Sequence, residues 1–296
     1  YVNKAVSGFS ENSTQSMTGV SEFVVDENNP YLTAIDGVVY SKDLTRLVRF
    51  PTLKSGDYIA PDTVSSVAKN AFYKCNLVGR IVFNNSTVSF EEECFYHCEF
   101  TELNVPCLEY KLAYYLGKGE RTVAFKSDKM EKLVLTNQIK NIPEYFADWY
   151  PFKEVEIQGS FKEIGMSAFY SSNFTEISLP DSVEVIGQSA FSHANLEKIY
   201  LGESLKSIRS GAFSHSKLQE IKFPLSLEAI GDLAFSYTPL LEITLGENVR
   251  YIGVSAFSGS KLKKVVVNEK LADIAERLFD DCYELEMIVL PDAVTD

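Results

Sequence analysis

The sequence predicts a solenoid of short stacked β-coils, and two observations predict it. A phenylalanine recurs at Phe169, Phe191, Phe213, Phe235, Phe257 and Phe279, each 22 residues after the last. Between those phenylalanines one apolar pattern repeats, so a single unit is being stacked on itself.

The unit reads L-x-x-I-x-L-P-x-x-V-x-x-I-G-x-x-A-F and is carried by Phe174, Ile177, Leu179, Val183, Ile186, Ala190 and Phe191. It returns as Leu196, Ile199, Leu201, Leu205, Ile208, Ala212, Phe213, and again as Leu218, Ile221, Phe223, Leu227, Ile230, Ala234, Phe235. Leu240 to Phe257 and Leu262 to Phe279 continue it, and Leu285, Ile288, Leu290 and Val294 form a last half-unit. A period of roughly 20 to 29 residues with an L-x-x-I-x-L strand marks a leucine-rich-repeat solenoid. Such a solenoid is a right-handed superhelix with a parallel β-sheet on one face. The I-G-x-x-A-F half is expected to form short turns or 3₁₀ and one helical turn, because it is too short for a longer helix.

Toward the N-terminus the register is less even. Phe72 and Phe95 are 23 apart, as are Phe146 and Phe169. Pro180 lies 16 residues before the next strand start, Leu196, whereas Pro106 lies 24 before Met130, which leaves 8 extra residues. An irregular insertion is therefore expected at about 107–129, looping out from the stack and carrying Tyr110, Tyr114 and Tyr115. It is read as lacking the I-G-x-x-A-F half.

Before the repeats, Asp36-Gly37 and Ser41-Lys42-Asp43 punctuate the alternating Ile35, Val38, Tyr40, Leu44, Leu47, Val48 and Phe50, the grammar of antiparallel strands with tight turns. Residues 22–62 are read as a hairpin-like cap over the first coil, 63–296 as the repeats, and the Ser-, Thr- and Asn-rich 1–21 as a flexible leader. No comparable cap follows Val294, so the end reads as a cut chain or as a surface for end-on association.

The net charge of -13 argues against nucleic acid, which demands clustered Lys and Arg. No apolar run approaches the ~20 residues of a membrane span. The three histidines, His97, His193 and His215, all sit two residues after a repeat phenylalanine, and two without a third ligand make a poor metal site. Cys94, His97, Cys98 and Cys107 superficially suggest zinc. The register instead puts Cys98 in the small slot held by Cys75 and Cys282, and Cys94 in the slot of the repeat alanine, so free core thiols are expected. No nucleophile elbow, metalloprotease or phosphate-loop motif occurs, and neither a catalytic residue nor a cofactor is expected.

In each strand the L, I and L side chains point inward and the residues between them outward, forming columns up the sheet. One outward column reads Asn104, Val134, Glu156, Ser178, Tyr200, Lys222, Thr244, Val266, Val289, and the other Glu102, Lys132, Glu154, Glu176, Lys198, Glu220, Glu242, Lys264, Met287. The candidate ligand face is the middle stretch, Glu154, Glu156, Glu176, Lys198, Tyr200, Glu220, Lys222 and Glu242, with a tyrosine among charges as anchor. The alternative is that these are ordinary solvated strand positions.

The run I-G-x-x-A-F then L-x-x-I-x-L-P-x-S-V, as in Ile164 to Val183 and Ile230 to Val249, resembles the BspA-like leucine-rich repeats of bacterial surface proteins, and Asp36 to Asp43 resembles the stretch that often precedes them. The resemblance implies a secreted or surface-exposed, non-enzymatic module that binds a protein or glycan, host extracellular matrix among the candidates. A spacer stalk that presents another domain is the alternative.

Overall fold

The structure is a computed structural model that describes residues 1–10, 16–76, 79–85, 87–91, 94–98, 100–105, 113–116, 120–123, 125–126, 132–135, 141–142, 144–146, 152–268, 270 and 275–289. Every secondary-structure element among them is a strand, and the chain divides into two compact units, 1–138 and 139–296.

The first unit opens with antiparallel strands. Leu32–Ile35 pairs with Val38–Ser41 across Asp36 and Gly37, whose φ angles of 48° and 75° give the left-handed turn that suits a two-residue hairpin. Val38–Ser41 pairs antiparallel with Arg46–Arg49, and Arg46–Arg49 then pairs in parallel with Ser66–Val67, where coil stacking begins. A second parallel ladder stacks Ile81, Leu103 and Leu133 on one another, all fully buried.

Three features of this unit differ from the sequence reading. Residues 2–9 are not a loose leader: Val2 is buried, donates its N–H to Val24 O at 2.7 Å and accepts one from Asp26 N at 2.8 Å, and Phe9 packs 5.6 Å from Phe23. Val2, Val6 and Phe9 give this polar segment enough apolar surface to dock beside Leu32 and Val39. The insertion contains a regular antiparallel hairpin, Ala113–Leu116 with Glu120–Val123. After it, Phe125 pairs in parallel register with Phe95, so Phe125 takes the phenylalanine place of the half-unit that the insertion was read as lacking.

The third lies at Arg49 and Phe50, where the aromatic ruler begins. The Arg49 side chain is fully buried, and Nη1 donates to Asn70 O at 2.6 Å and Ala71 O at 3.2 Å, Nη2 to Tyr73 O at 3.2 Å. The guanidinium thus clamps the turn around Phe72. The ring of Phe50 stacks on Phe72 at 4.9 Å and Phe72 on Phe95 at 4.8 Å, so the aromatic ruler starts one coil earlier than read.

In the second unit the ruler becomes a spine. The rings of Phe191, Phe213, Phe235 and Phe257 stack at 5.3, 5.1 and 5.3 Å with planes 4 to 8° apart, all with no solvent exposure. Truncating one such ring to Ala removes about 3–5 kcal/mol. Among the described residues the I-G-x-x-A-F half holds no helical turn. Its isoleucine and the residue before it form a second parallel sheet, Glu163–Ile164, Val185–Ile186, Ser207–Ile208, Ala229–Ile230 and Tyr251–Ile252, in register throughout. Gly187 N donates to Ile164 O at 2.8 Å, and a Cβ on Gly187 would lie 2.6 Å from that oxygen, so glycine is needed for the coils to approach this closely.

The rest of the half-unit turns through two left-handed residues, one two positions before the phenylalanine (Ser167, Ser189, Gly211, Leu233, Ser255) and one two positions after it (Ser171, His193, His215, Tyr237, Gly259). These residues have φ between 52° and 68°. This backbone state explains why the slots favour short polar residues or glycine, and it leaves Leu233 and Tyr237 conformationally strained.

Candidate functional site

The sheet-face candidates all lie in the second unit. Glu176–Ser178 and Lys198–Tyr200 pair in parallel register, Glu176 opposite Lys198 and Ser178 opposite Tyr200, with Ile177 and Ile199 buried between them. Inward Ile fixes the strand's orientation, and the alternation then presents Glu176, Lys198 and Tyr200 outward. Tyr200 is 45 % exposed, and the Lys198 ammonium sits 4.8 Å from its ring centroid. Contact with Tyr200, ahead of the nearby glutamates, raises the Lys198 pKa. Lys198 also reaches Glu220 at 3.9 Å. Glu154 and Glu156 lie on Glu154–Ile157, where Glu156 accepts from Gln158 Nε2 at 2.6 Å, and Glu242 lies on Glu242–Thr244. Lys222 is exposed, outside any regular strand.

The face is not open along its whole length. Val134, expected to point into solvent, is only 3 % exposed, and Asn104 Oδ1 is enclosed without a hydrogen-bond partner. The outward column is therefore covered in the first unit, at the strands flanking the insertion. Tyr114 and Tyr115 lie on the hairpin strand opposite Thr122 and Arg121, and Tyr110 lies outside the described residues.

The turn face behaves differently. Tyr170, His193, His215 and Tyr237 form a ladder with centroid spacings of 5.3, 4.6 and 4.7 Å. The two imidazole planes are 3° apart, so their ring-nitrogen lone pairs run side by side and do not converge on one ion. His97, in the same slot, meets Tyr73 edge-on at 6.3 Å. Cys75, Cys94 and Cys98 are buried free thiols and Cys282 is a half-buried one; burial pushes the Cys94 thiol pKa well up. Cys107 lies outside the described residues. Among the described residues no group of three His, Cys, Asp or Glu side chains could hold a metal, and no helix is long and apolar enough to cross a membrane.

Charge on the second sheet is organised coil to coil. Glu184 takes Lys206 at 2.8 Å and Lys162 at 3.0 Å, one from each adjacent coil, and these ammonium groups lower its carboxyl pKa to about 2. Lys162, Glu184 and Lys206 stand 22 residues apart and alternate in sign, but neither outward column read from the sequence included this position.

Residues 51–115, 121–242 and 228–296 match a family model described as the BspA type leucine rich repeat region, in six copies. Among solved structures, a leucine-rich repeat protein from Bacteroides ovatus is 24 % identical, with 90 % of this chain and 70 % of that one covered and a TM-score of 0.51. A Treponema pallidum leucine rich repeat protein is 30 % identical over 53 % of this chain and 70 % of that one, with a TM-score of 0.41. One from Eubacterium ventriosum is 18 % identical with a TM-score of 0.44; 80 % of this chain is covered, and the match spans 57 % of that protein's length. No curated protein matches.

Proposed function

Since this chain belongs to the BspA-type leucine-rich repeat family, we propose that it is a non-enzymatic binding module that acts outside the cell or at its surface and engages a protein or glycan, host extracellular matrix among the candidates. The observation that carries this reading is the open stretch of sheet in the second unit. There Glu154, Glu176, Tyr200, Glu220, Lys222 and Glu242 all face solvent on a scaffold whose inward residues are fully committed to packing. Tyr200, with the Lys198 ammonium over its ring, is a half-exposed amphipathic anchor. The insertion tyrosines Tyr110, Tyr114 and Tyr115 are a second candidate contact, because solenoid insertions gather on binding faces.

The test is capture of extracellular-matrix proteins and glycans by the immobilised chain. For any ligand captured, Tyr200→Ala with Lys222→Glu is expected to weaken binding more than about tenfold, the loss of one or two anchors, while the melting temperature stays unchanged. Unaltered affinity would remove the sheet face from consideration.

A further inference from the structure

The front sheet of the second unit breaks between Glu154–Ile157 and Glu176–Ser178 and again after Glu220, and a proline stands at this second break, the seam. In neighbouring coils the residue before the strand ties back to the coil below: Asn195 N donates to Ser172 O at 2.9 Å, Lys217 N to Ala194 O at 3.3 Å and Lys261 N to Thr238 O at 3.3 Å. The fourth member of this series is Pro239, which has no N–H to offer Ser216 O. The next rung fails as well. Glu197 N, Gln219 N and Lys263 N donate to Thr175 O, Glu197 O and Leu241 O at 2.8, 3.2 and 2.7 Å, but Leu241 N makes no such bond to Gln219 O. Lys198 bridges to Glu220, the pairing stops there, and Glu242–Thr244 begins a separate sheet with Lys264–Val266.

The seam opens into a cleft of about 510 Å³ lined by Glu197, Lys198, Gln219, Glu220, Leu241 and Glu242. Leu241 is 46 % exposed at its wall. Lys198 is occupied by Tyr200 and Glu220, whereas Glu197 and Glu242 have no ion-pair partner among the described residues. The cleft thus combines an unpaired main-chain N–H and C=O, an apolar wall and two uncompensated carboxylates. A strand-like segment carries a peptide group for the first pair and, at every second residue, a side chain toward the same wall.

We propose that this seam is the docking point for an extended, basic segment of a partner protein, whose lysine or arginine side chains lie between Glu197 and Glu242 while its main chain meets Gln219 O and Leu241 N. The proposal rests on the sheet-face reading and gives it a partner class, because the freed groups and the net negative cleft complement a cationic peptide and repel an acidic one. Pro239 is the positioning residue. It keeps the rung open and makes no contact through charge.

Binding of a fluorescein-labelled (Gly-Arg)4 peptide, measured by anisotropy at low salt with (Gly-Glu)4 as control, tests this. The native chain is expected to bind only the arginine peptide. Glu197→Gln with Glu242→Gln is expected to weaken it about tenfold, and Glu203→Gln with Glu247→Gln, the same change of charge elsewhere on exposed coil positions, less than about twofold. Pro239→Ala, which restores the N–H, is expected to weaken binding with no change of charge and to slow hydrogen exchange at the Leu241 amide. Equal loss from both Glu pairs would mean bulk attraction only and overturn the proposal, as would a Leu241 amide already as protected as that of Lys263. If Tyr200→Ala with Lys222→Glu abolishes capture of a ligand while the seam variants leave it intact, the seam falls and the sheet face stands.

Discussion

His193 and His215 lie face to face, their ring centroids 4.6 Å apart and their planes within 3°. Burial, and then the neighbouring imidazole, lower the His193 pKa below its ordinary value of 6.5. The folded state therefore binds a proton here less readily than the unfolded chain, and stability falls as pH drops through and below about 6.5. Thermal unfolding at pH 7 and pH 5 should show a larger loss for the native chain than for His193→Asn, which keeps a left-handed-tolerant, uncharged residue in the slot. Equal losses would show that the stack does not titrate differently from free imidazole.

Thiol reactivity should divide by depth. Cys282 is half-buried, and Cys75, Cys94 and Cys98 have no exposure. An aromatic disulfide reagent at pH 8 is expected to label Cys282 in the native protein and to reach the other three only on unfolding, as followed by peptide mapping. Rapid native labelling of Cys94 would contradict its burial and its raised pKa.

Leu233 occupies a left-handed position with φ 56° and is 45 % exposed, while the neighbouring coil places Gly211 there with φ 61°. A branched side chain in this conformation costs roughly 1–2 kcal/mol. Leu233→Asn is expected to raise stability by about 0.5–1 kcal/mol, a shift of a few degrees in melting temperature, since asparagine tolerates this backbone and little packing is lost. A fall in melting temperature would mean that the leucine packs more tightly than its exposure indicates.

The fold was legible because its determinant is periodic: Phe213 and Ile221 announce their neighbours simply by recurring. What escaped was carried by single residues or by the backbone. Arg49 was passed over in the sequence, and only the carbonyls of Asn70, Ala71 and Tyr73 around it make a buried site. Val134 reads as outward by alternation, which says nothing about what covers a strand. The second sheet escaped because its strands are two residues long, below the length at which period-2 alternation can be seen. Of the candidate site, the pairing of Glu176 with Lys198 followed from the register, whereas the break beside Glu220 did not, because side-chain alternation says nothing of the backbone hydrogen that Pro239 lacks.

The spine of Phe191, Phe213, Phe235 and Phe257 runs unbroken behind that break, with all three ring spacings within 0.2 Å of one another. A crack in the front wall of this unit is thus backed by an intact rear wall. Tension along the coil axis would be borne by the rings and by the second sheet, and the front would part first, at Gln219 and Leu241, without unravelling the coils. The load path of such a unit is that of a leaf hinge rather than a rope.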